Sequence, residues 1–260
     1  MDLWLIYLLL GAFAGLLAGL LGVGGGLVIV PVLVLVFREN NMVSGFEVHV
    51  AVASSLVTII VTSISSIYTH HQRSAVRWDL FARLLPGLIV GGVAGVWLVG
   101  KMSTEWLGWV FALFEIMVAV YMLSSLDAGS TRSRSGKERF LGLSGAVVGV
   151  FSTILGIGGG TLTVPLLNWH GISIHQAVAT SAACGLPIAL VGMAGFMVLS
   201  IVDPLAPVDG YIYWPAVWII ILSSFLFARV GACWAHVISP RYLKKFFAGL
   251  LLLLGLRMLF

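Results

Sequence analysis

Polar residues along this chain are sparse and clustered, and the stretches between them are apolar. With charges, prolines and loop residues as boundaries, the apolar segments run 3–21, 27–37, 46–69, 79–100, 106–125, 139–156, 161–169, 174–200, 214–238 and 242–260. Most approach the ~20 residues a helix needs to cross a hydrocarbon core of about 30 Å. The runs are continuous and do not alternate with period two, so they predict helices and not barrel strands. Segments 27–37 and 161–169 are too short to span alone, and each follows a glycine cluster. The one stretch of soluble character, Asp127 to Arg139, is rich in Ser, Gly and Arg and divides the chain near its middle.

Composition agrees: 60% of the 260 residues are hydrophobic and 9% charged, where soluble domains carry about 25% charged residues. The expected class is an all-α polytopic membrane protein. Ala12-Phe13-Ala14 has the form of a signal-peptidase site, but the apolar stretch continues past it to Leu21 and reads as a retained membrane segment. Cys184 and Cys233 both lie in apolar stretches and suggest no disulfide framework. No Cys/His pair has metal-ligand spacing and no nucleophile–base pair is visible, so neither metal, cofactor nor catalytic residue is expected, and an enzyme is not.

The central division exposes an internal repeat. Leu21-Gly22-Val23-Gly24-Gly25-Gly26, ending in Val30-Pro31, matches Leu155-Gly156-Ile157-Gly158-Gly159-Gly160, ending in Val164-Pro165. His49-Val50-Ala51-Val52-Ala53-Ser54-Ser55 matches His175-Gln176-Ala177-Val178-Ala179-Thr180-Ser181. A third stretch pairs Trp78 with Trp214, Gly95 with Gly231, Ser103 with Ser239, Phe111 with Phe247 and Met122 with Met258. The units are an N-terminal repeat over 1–126, a linker over 127–138 and a C-terminal repeat over 139–260.

The basic residues orient the copies through the positive-inside rule. If each glycine cluster belongs to a pair of segments that starts and ends on one face, then Arg73, Arg77, Arg83, Arg132, Arg134, Lys137, Arg139, Arg241, Lys244 and Lys245 share a side, ten of the fourteen Lys and Arg. Only Arg38, Lys101 and Arg257 fall opposite. One crossing per glycine stretch would instead split the loop basics about eight to five. The first arrangement makes the repeats inverted, puts both termini outside and the linker in the cytoplasm. It counts about eight spans plus two short half-helices, each glycine-broken segment being a re-entrant or hairpin unit accompanied by about three further helices. Inverted repeats place a transporter's site near mid-membrane.

The glycine clusters carry the sharpest chemistry. A dinucleotide loop would need a strand–turn–helix unit in a soluble domain, which the preceding apolar residues exclude. Close helix packing accounts for scattered glycines such as Gly91, Gly92 and Gly95. Three in a row free the backbone to turn. Pro31 and Pro165, after the β-branched Val28-Ile29-Val30 and Thr161-Leu162-Thr163-Val164, predict a turn, a short extended stretch, and a helix opening near the proline. Free N–H groups and the positive helix end there suit an anion. The expected substrate-binding residues are Gly24, Gly25, Gly26, Gly158, Gly159, Gly160 and Thr161, with Ser54, Ser55, Thr58, Thr180 and Ser181 approaching from the helices that open at His49 and His175. The alternative for those hydroxyls is bonding to their own helix carbonyls. Four further residues are coupling candidates. Glu115 lies mid-segment with no basic neighbour on its helix and suits proton coupling or an ion pair. Arg229 could snorkel, attract an anion or pair with Glu115, and His49 and His175 are either interfacial or ligands.

These motifs resemble the TauE/SafE sulfite-exporter family over nearly the whole chain: two Leu-Gly-x-Gly-Gly-Gly-(x)4-Pro motifs, each followed by His-x-Ala-Val-Ala-(Ser/Thr)-Ser. The resemblance implies a secondary transporter of the bacterial cytoplasmic (inner) membrane for small sulfur-containing anions such as sulfite, thiosulfate or sulfonates. Members of that family are assigned to export or to uptake, so the resemblance carries no direction; the expected mode is alternating access in the export direction, with membrane lipid as a partner and no nucleic acid. A passive anion channel and an uptake permease for an organic acid are the alternatives, and a homodimer is compatible with either. The first copy departs from the second by eight extra residues between Pro31 and His49.

Overall fold

The computed structural model describes residues 3–21, 24–124, 141–234 and 240–259. The linker 127–138 with its basic residues, and Gly22 and Val23 of the first glycine cluster, lie outside the described residues. All regular structure in the described residues is helical: α1 (Leu3–Leu21), α2 (Gly26–Glu39), α3 (Glu47–Gln72), α4 (Trp78–Val99), α5 (Thr104–Ser124), α6 (Leu141–Ile154), α7 (Gly160–Trp169), α8 (Ile174–Val202), α9 (Trp214–Trp234) and α10 (Pro240–Leu259). Each apolar segment of the sequence holds one of them.

Six of these helices, α1, α3, α4, α5, α8 and α9, are long and apolar enough to cross a membrane. Their outer faces carry bare apolar side chains, among them Val90, Val93 and Trp97 on α4, Leu113 and Met117 on α5, and Leu222 and Leu226 on α9. Water would not tolerate so continuous an apolar face, whereas lipid does. The centre is α2 with the first half of α3: in α2 the run from Leu27 to Val34 is buried except at Val32, and in α3 the run from Val48 to Ile59 is buried throughout.

One expectation about the glycine segments is corrected. No extended stretch separates glycine from proline; α2 opens at Gly26 and α7 at Gly160, leaving Pro31 and Pro165 inside the helices. The reversal is completed within the glycines: Gly25 (φ 78°) and Gly159 (φ 69°) are left-handed residues at the N-cap positions. Their carbonyls accept at once, from Val28 (3.0 Å) and Ile29 (3.1 Å) at Gly25, and from Leu162 (3.2 Å) and Thr163 (2.8 Å) at Gly159. Backbone buried away from water must satisfy itself, and that requirement overrides the strand preference of Val and Ile.

Helix pairing crosses the middle of the chain. α1 packs along α9 and α4 along α6, in both cases in the same direction. Gly87, Gly91 and Gly95 of α4 lie successively against the backbones of Gly142, Ala146 and Val150 of α6. Gly11 and Gly15 of α1 lie against Ile220 and Ser224 of α9. A side chain at any of these glycines would overlap the neighbouring helix, so backbone-to-backbone approach sets the spacing. α3 and α8 run antiparallel, with Leu56 against Gly192 and Ser63 against Gly185. α10 packs on α5.

Candidate substrate site at the paired glycine turns

The two glycine turns, 134 residues apart in sequence, touch. A β-carbon on Gly24 would lie 3.3 Å from Cα of Gly158, and one on Gly26 would overlap the carbonyl oxygen of Gly156. Gly156 is itself left-handed (φ 63°) and packs on the Val52 backbone of α3. The N-termini of α2 and α7 are thus brought together, and the positive ends of their dipoles add at one place. Among the described residues the N–H groups of Gly26 and Leu27, and of Gly158 and Thr161, have no acceptor, whereas those of Gly159 and Gly160 donate to Ile157 (2.9 Å) and Gly158 (2.8 Å). The Thr161 and Thr163 hydroxyls also lack partners among the described residues, and that of Thr163 lies beside Gly159.

The α3 and α8 hydroxyls singled out by the motif sit close to this junction, each engaged with protein. The Ser55 hydroxyl donates to the Gly156 carbonyl (2.8 Å), tying α3 to the second turn. Ser54 accepts from the Tyr213 N–H (2.9 Å), and Thr180 accepts from the Arg77 N–H (3.0 Å). These two bonds are counterparts. Ser54 matches Thr180 in the repeat, and Tyr213 and Arg77 are the residues just before the matched Trp214 and Trp78. Thr58 donates to the Ser55 carbonyl (2.7 Å) and Ser181 to the Val178 carbonyl (2.8 Å), the local bonding common for hydroxyls in helices.

His49 and His175 are unlike. His49 is buried, its ring contacting Thr104 Oγ1 (3.2 Å) and the carbonyls of Val99 (3.2 Å) and Met102 (3.1 Å), while His175 is exposed near the start of α8. Glu115 is fully buried against Gly255 of α10, and neither carboxylate oxygen has a hydrogen-bond partner among the described residues. Arg229 lies elsewhere, with its guanidinium 4.9 Å from the Phe225 ring.

A cavity of about 30 Å³ opens from the turns, room for roughly two waters. Gly24 and Gly158 form its inner end; Thr62, Ser63, Ser65, Ser66 and Thr69 of α3 form one wall; His70 and Arg229 also line it. From Thr62 to His70 the wall is about 12 Å long at 1.5 Å per residue. Sequence reasoning did not single out this hydroxyl face. The available signal was the run Thr62-Ser63-Ile64-Ser65-Ser66 inside a membrane helix, which the second copy does not repeat.

Membrane-crossing helices built around a duplicated polar break, with a cavity ending on that break, define a multi-pass membrane transporter. The profile described as Sulfite exporter TauE/SafE matches residues 7–258, and the chain belongs to that family. It is 34% identical to a probable membrane transporter protein of Haemophilus influenzae, over 98% of this chain and 97% of that one. It is 26% identical to a probable membrane transporter protein of Methanocaldococcus jannaschii, over 98% and 94% respectively. A probable membrane transporter protein of Magnetospirillum gryphiswaldense, MamO, is 24% identical over 96% of this chain and 44% of its own length. No solved structure matches.

Proposed function

We propose that this protein is a secondary transporter that exports small sulfur-containing anions, of the sulfite, sulfonate or thiosulfate type, across the cytoplasmic membrane by alternating access. The observation that carries the reading is the meeting of two left-handed glycine turns, each opening a helix, at the inner end of a hydroxyl-lined cavity. The N–H groups at the apposed helix ends that have no acceptor among the described residues would hold substrate oxygens without a fixed counter-charge, so the anion is held and can be released. Thr161 adds a buried hydroxyl that has no partner among the described residues. Ser54, Ser55 and Thr180 hold the helices around the site, and their bonds exchange as access alternates, while Ser181 bonds within α8. The bonds of Ser55 to Gly156 and Ser54 to Tyr213 lie beyond the turns from the cavity, which favours alternation over an open channel.

The repeats are read as inverted, with α6 and α10 completing eight spans, both termini outside and the linker cytoplasmic. The antiparallel run of α3 and α8 supports this, as does the grouping of Arg38, which lies beside Gly108 of α5, and of Arg257 with Glu39 (3.5 Å) at one end. Glu115, buried without a hydrogen-bond partner among the described residues, is the proposed carrier of a coupling proton.

Flux into proteoliposomes tests the reading. Gly25→Val and Gly159→Val each force a side chain onto a left-handed residue, the first 3.1 Å from the Ala14 carbonyl oxygen and the second 2.9 Å from Ile188 Cδ1. Saturable sulfite exchange should fall at least tenfold in both while membrane insertion is retained. Normal exchange in both variants, or unsaturable conductance in the unchanged protein, refutes it.

A further inference from the structure

The two halves are alike at the turns and unlike in the cavity. The register that pairs His49 with His175 sets Thr62, Ser63, Ser65 and Ser66 of α3 against Ile188, Ala189, Val191 and Gly192 of α8. The register that pairs Trp78 with Trp214 sets Arg229 against Val93. On the second-copy side Ile188 closes over Gly159; on the first-copy side the wall is hydroxyl-rich and open. Duplication explains everything symmetric about the site and nothing about this wall.

The wall has donors to spare. The hydroxyls of Ser63, Ser65 and Ser66 bond to no described residue, and among the described residues no carboxylate pairs with Arg229. A guanidinium within a membrane helix is costly without a counter-charge, and hydroxyls need acceptors in particular directions, which a multi-oxygen anion supplies and a halide does not.

We propose that the Thr62–Thr69 face of α3 and Arg229 form a one-sided vestibule that binds an oxyanion head group at the cytoplasmic mouth of the transport path, before the glycine turns. It deepens the transporter reading and rests on it, and on the orientation given by the basic residues, which places His70 and the following Arg73 and Arg77 on the cytoplasmic face. The apolar counterpart in α8 gives the outer mouth no such site. Anions therefore dwell on the inner side and leave the outer side without being held, an arrangement suited to export.

Thiol protection tests it with the full-length protein in membrane vesicles of both orientations. Ser66→Cys, or Ser65→Cys where the first impairs folding, is exposed to a membrane-impermeant maleimide, with labelling of the unchanged protein subtracted. Methanesulfonate and sulfate are the probes, because sulfite itself consumes maleimide. Labelling should occur from the cytoplasmic face and slow at least fivefold with either anion, but not with chloride at equal ionic strength. Arg229→Lys should keep that protection and Arg229→Gln should lose it. Unprotected labelling in a protein that still exchanges the same anion overturns the vestibule and leaves the transporter reading intact. So does labelling from the outer face alone, or protection that survives Arg229→Gln. A protein that neither binds nor moves any of these anions overturns both.

Discussion

At the scale of single residues, the polar contacts outside the membrane are as specific as those at the turns. Tyr211, buried between α8 and α9, donates from its hydroxyl to Asp203 Oδ2 (2.6 Å) and from its N–H to Ser200 Oγ (3.0 Å), and its ring meets those of Phe46, His49 and Phe196. The hydrogen bond from Tyr211 holds the Asp203 carboxyl below its ordinary range. A carboxyl depressed in the folded state stabilises above its unfolded pKa, about 4, and loses that contribution as pH falls through the lower folded value. Tyr211→Phe should therefore lower stability by about 0.5–1 kcal/mol at pH 7, a small effect because Asp203 faces water. Thermal melts in detergent should show the gap to the unchanged protein closing only below about pH 4. The site was only partly legible at this scale. Spacing located the duplicated hydroxyls, yet spacing carries no information about partners, and Ser54, Ser55 and Thr180 find theirs across the repeat boundary.

At the scale of elements the sequence was more informative, because hydrocarbon thickness imposes a length and backbone satisfaction imposes a helix. All the apolar segments became helices with ends displaced by a few residues. The proline was misleading: its preference for a first turn is real, but a left-handed glycine cap opens a helix earlier than proline can. Grouping separated the turning glycines of the two clusters from the packing glycines of α4, although the ungrouped Gly45, Gly171 and Gly210 turn as well, with positive φ. Gly91, predicted to pack, lies on the Ala146 backbone, whereas nothing stands within 4 Å of a β-carbon at Gly249 on α10. Gly91→Leu should push α4 off α6 and cost about 3 kcal/mol or more, and Gly249→Leu should stay within about 0.5 kcal/mol. Melting temperatures of the two purified variants would distinguish a packing glycine from an incidental one.

For the whole molecule, the relation between the halves decides which membrane face each end of the site meets. α3 and α8 begin with matched histidines yet run in opposite directions, so the exposed residues just before them, Ser44 and Ser173, should lie on opposite faces of the membrane. Cysteines placed there should react with impermeant reagents from opposite sides, and one at Ser74 should react together with the one at Ser173. Labelling of Ser44 and Ser173 variants from the same face would mean parallel copies. Charge placement supplied the inverted reading that this labelling tests, whereas nothing in the sequence indicated the crossed pairing of α1 with α9 and α4 with α6. Hydropathy records which residues avoid water and is silent about which helix they choose.

That crossed pairing sets the order in which the protein can be made. α1 emerges from the ribosome well before α9, so its glycine face has no companion until α9 follows, about 190 residues later. At roughly 5–20 residues per second that is about 10–40 s, during which Gly11 and Gly15 are bare to lipid or to whatever assists insertion. α4 waits far less for α6. The nascent chain therefore pairs α4 with α6 before α1 with α9, and α1, though inserted ahead of all three, is the later to be fixed in place.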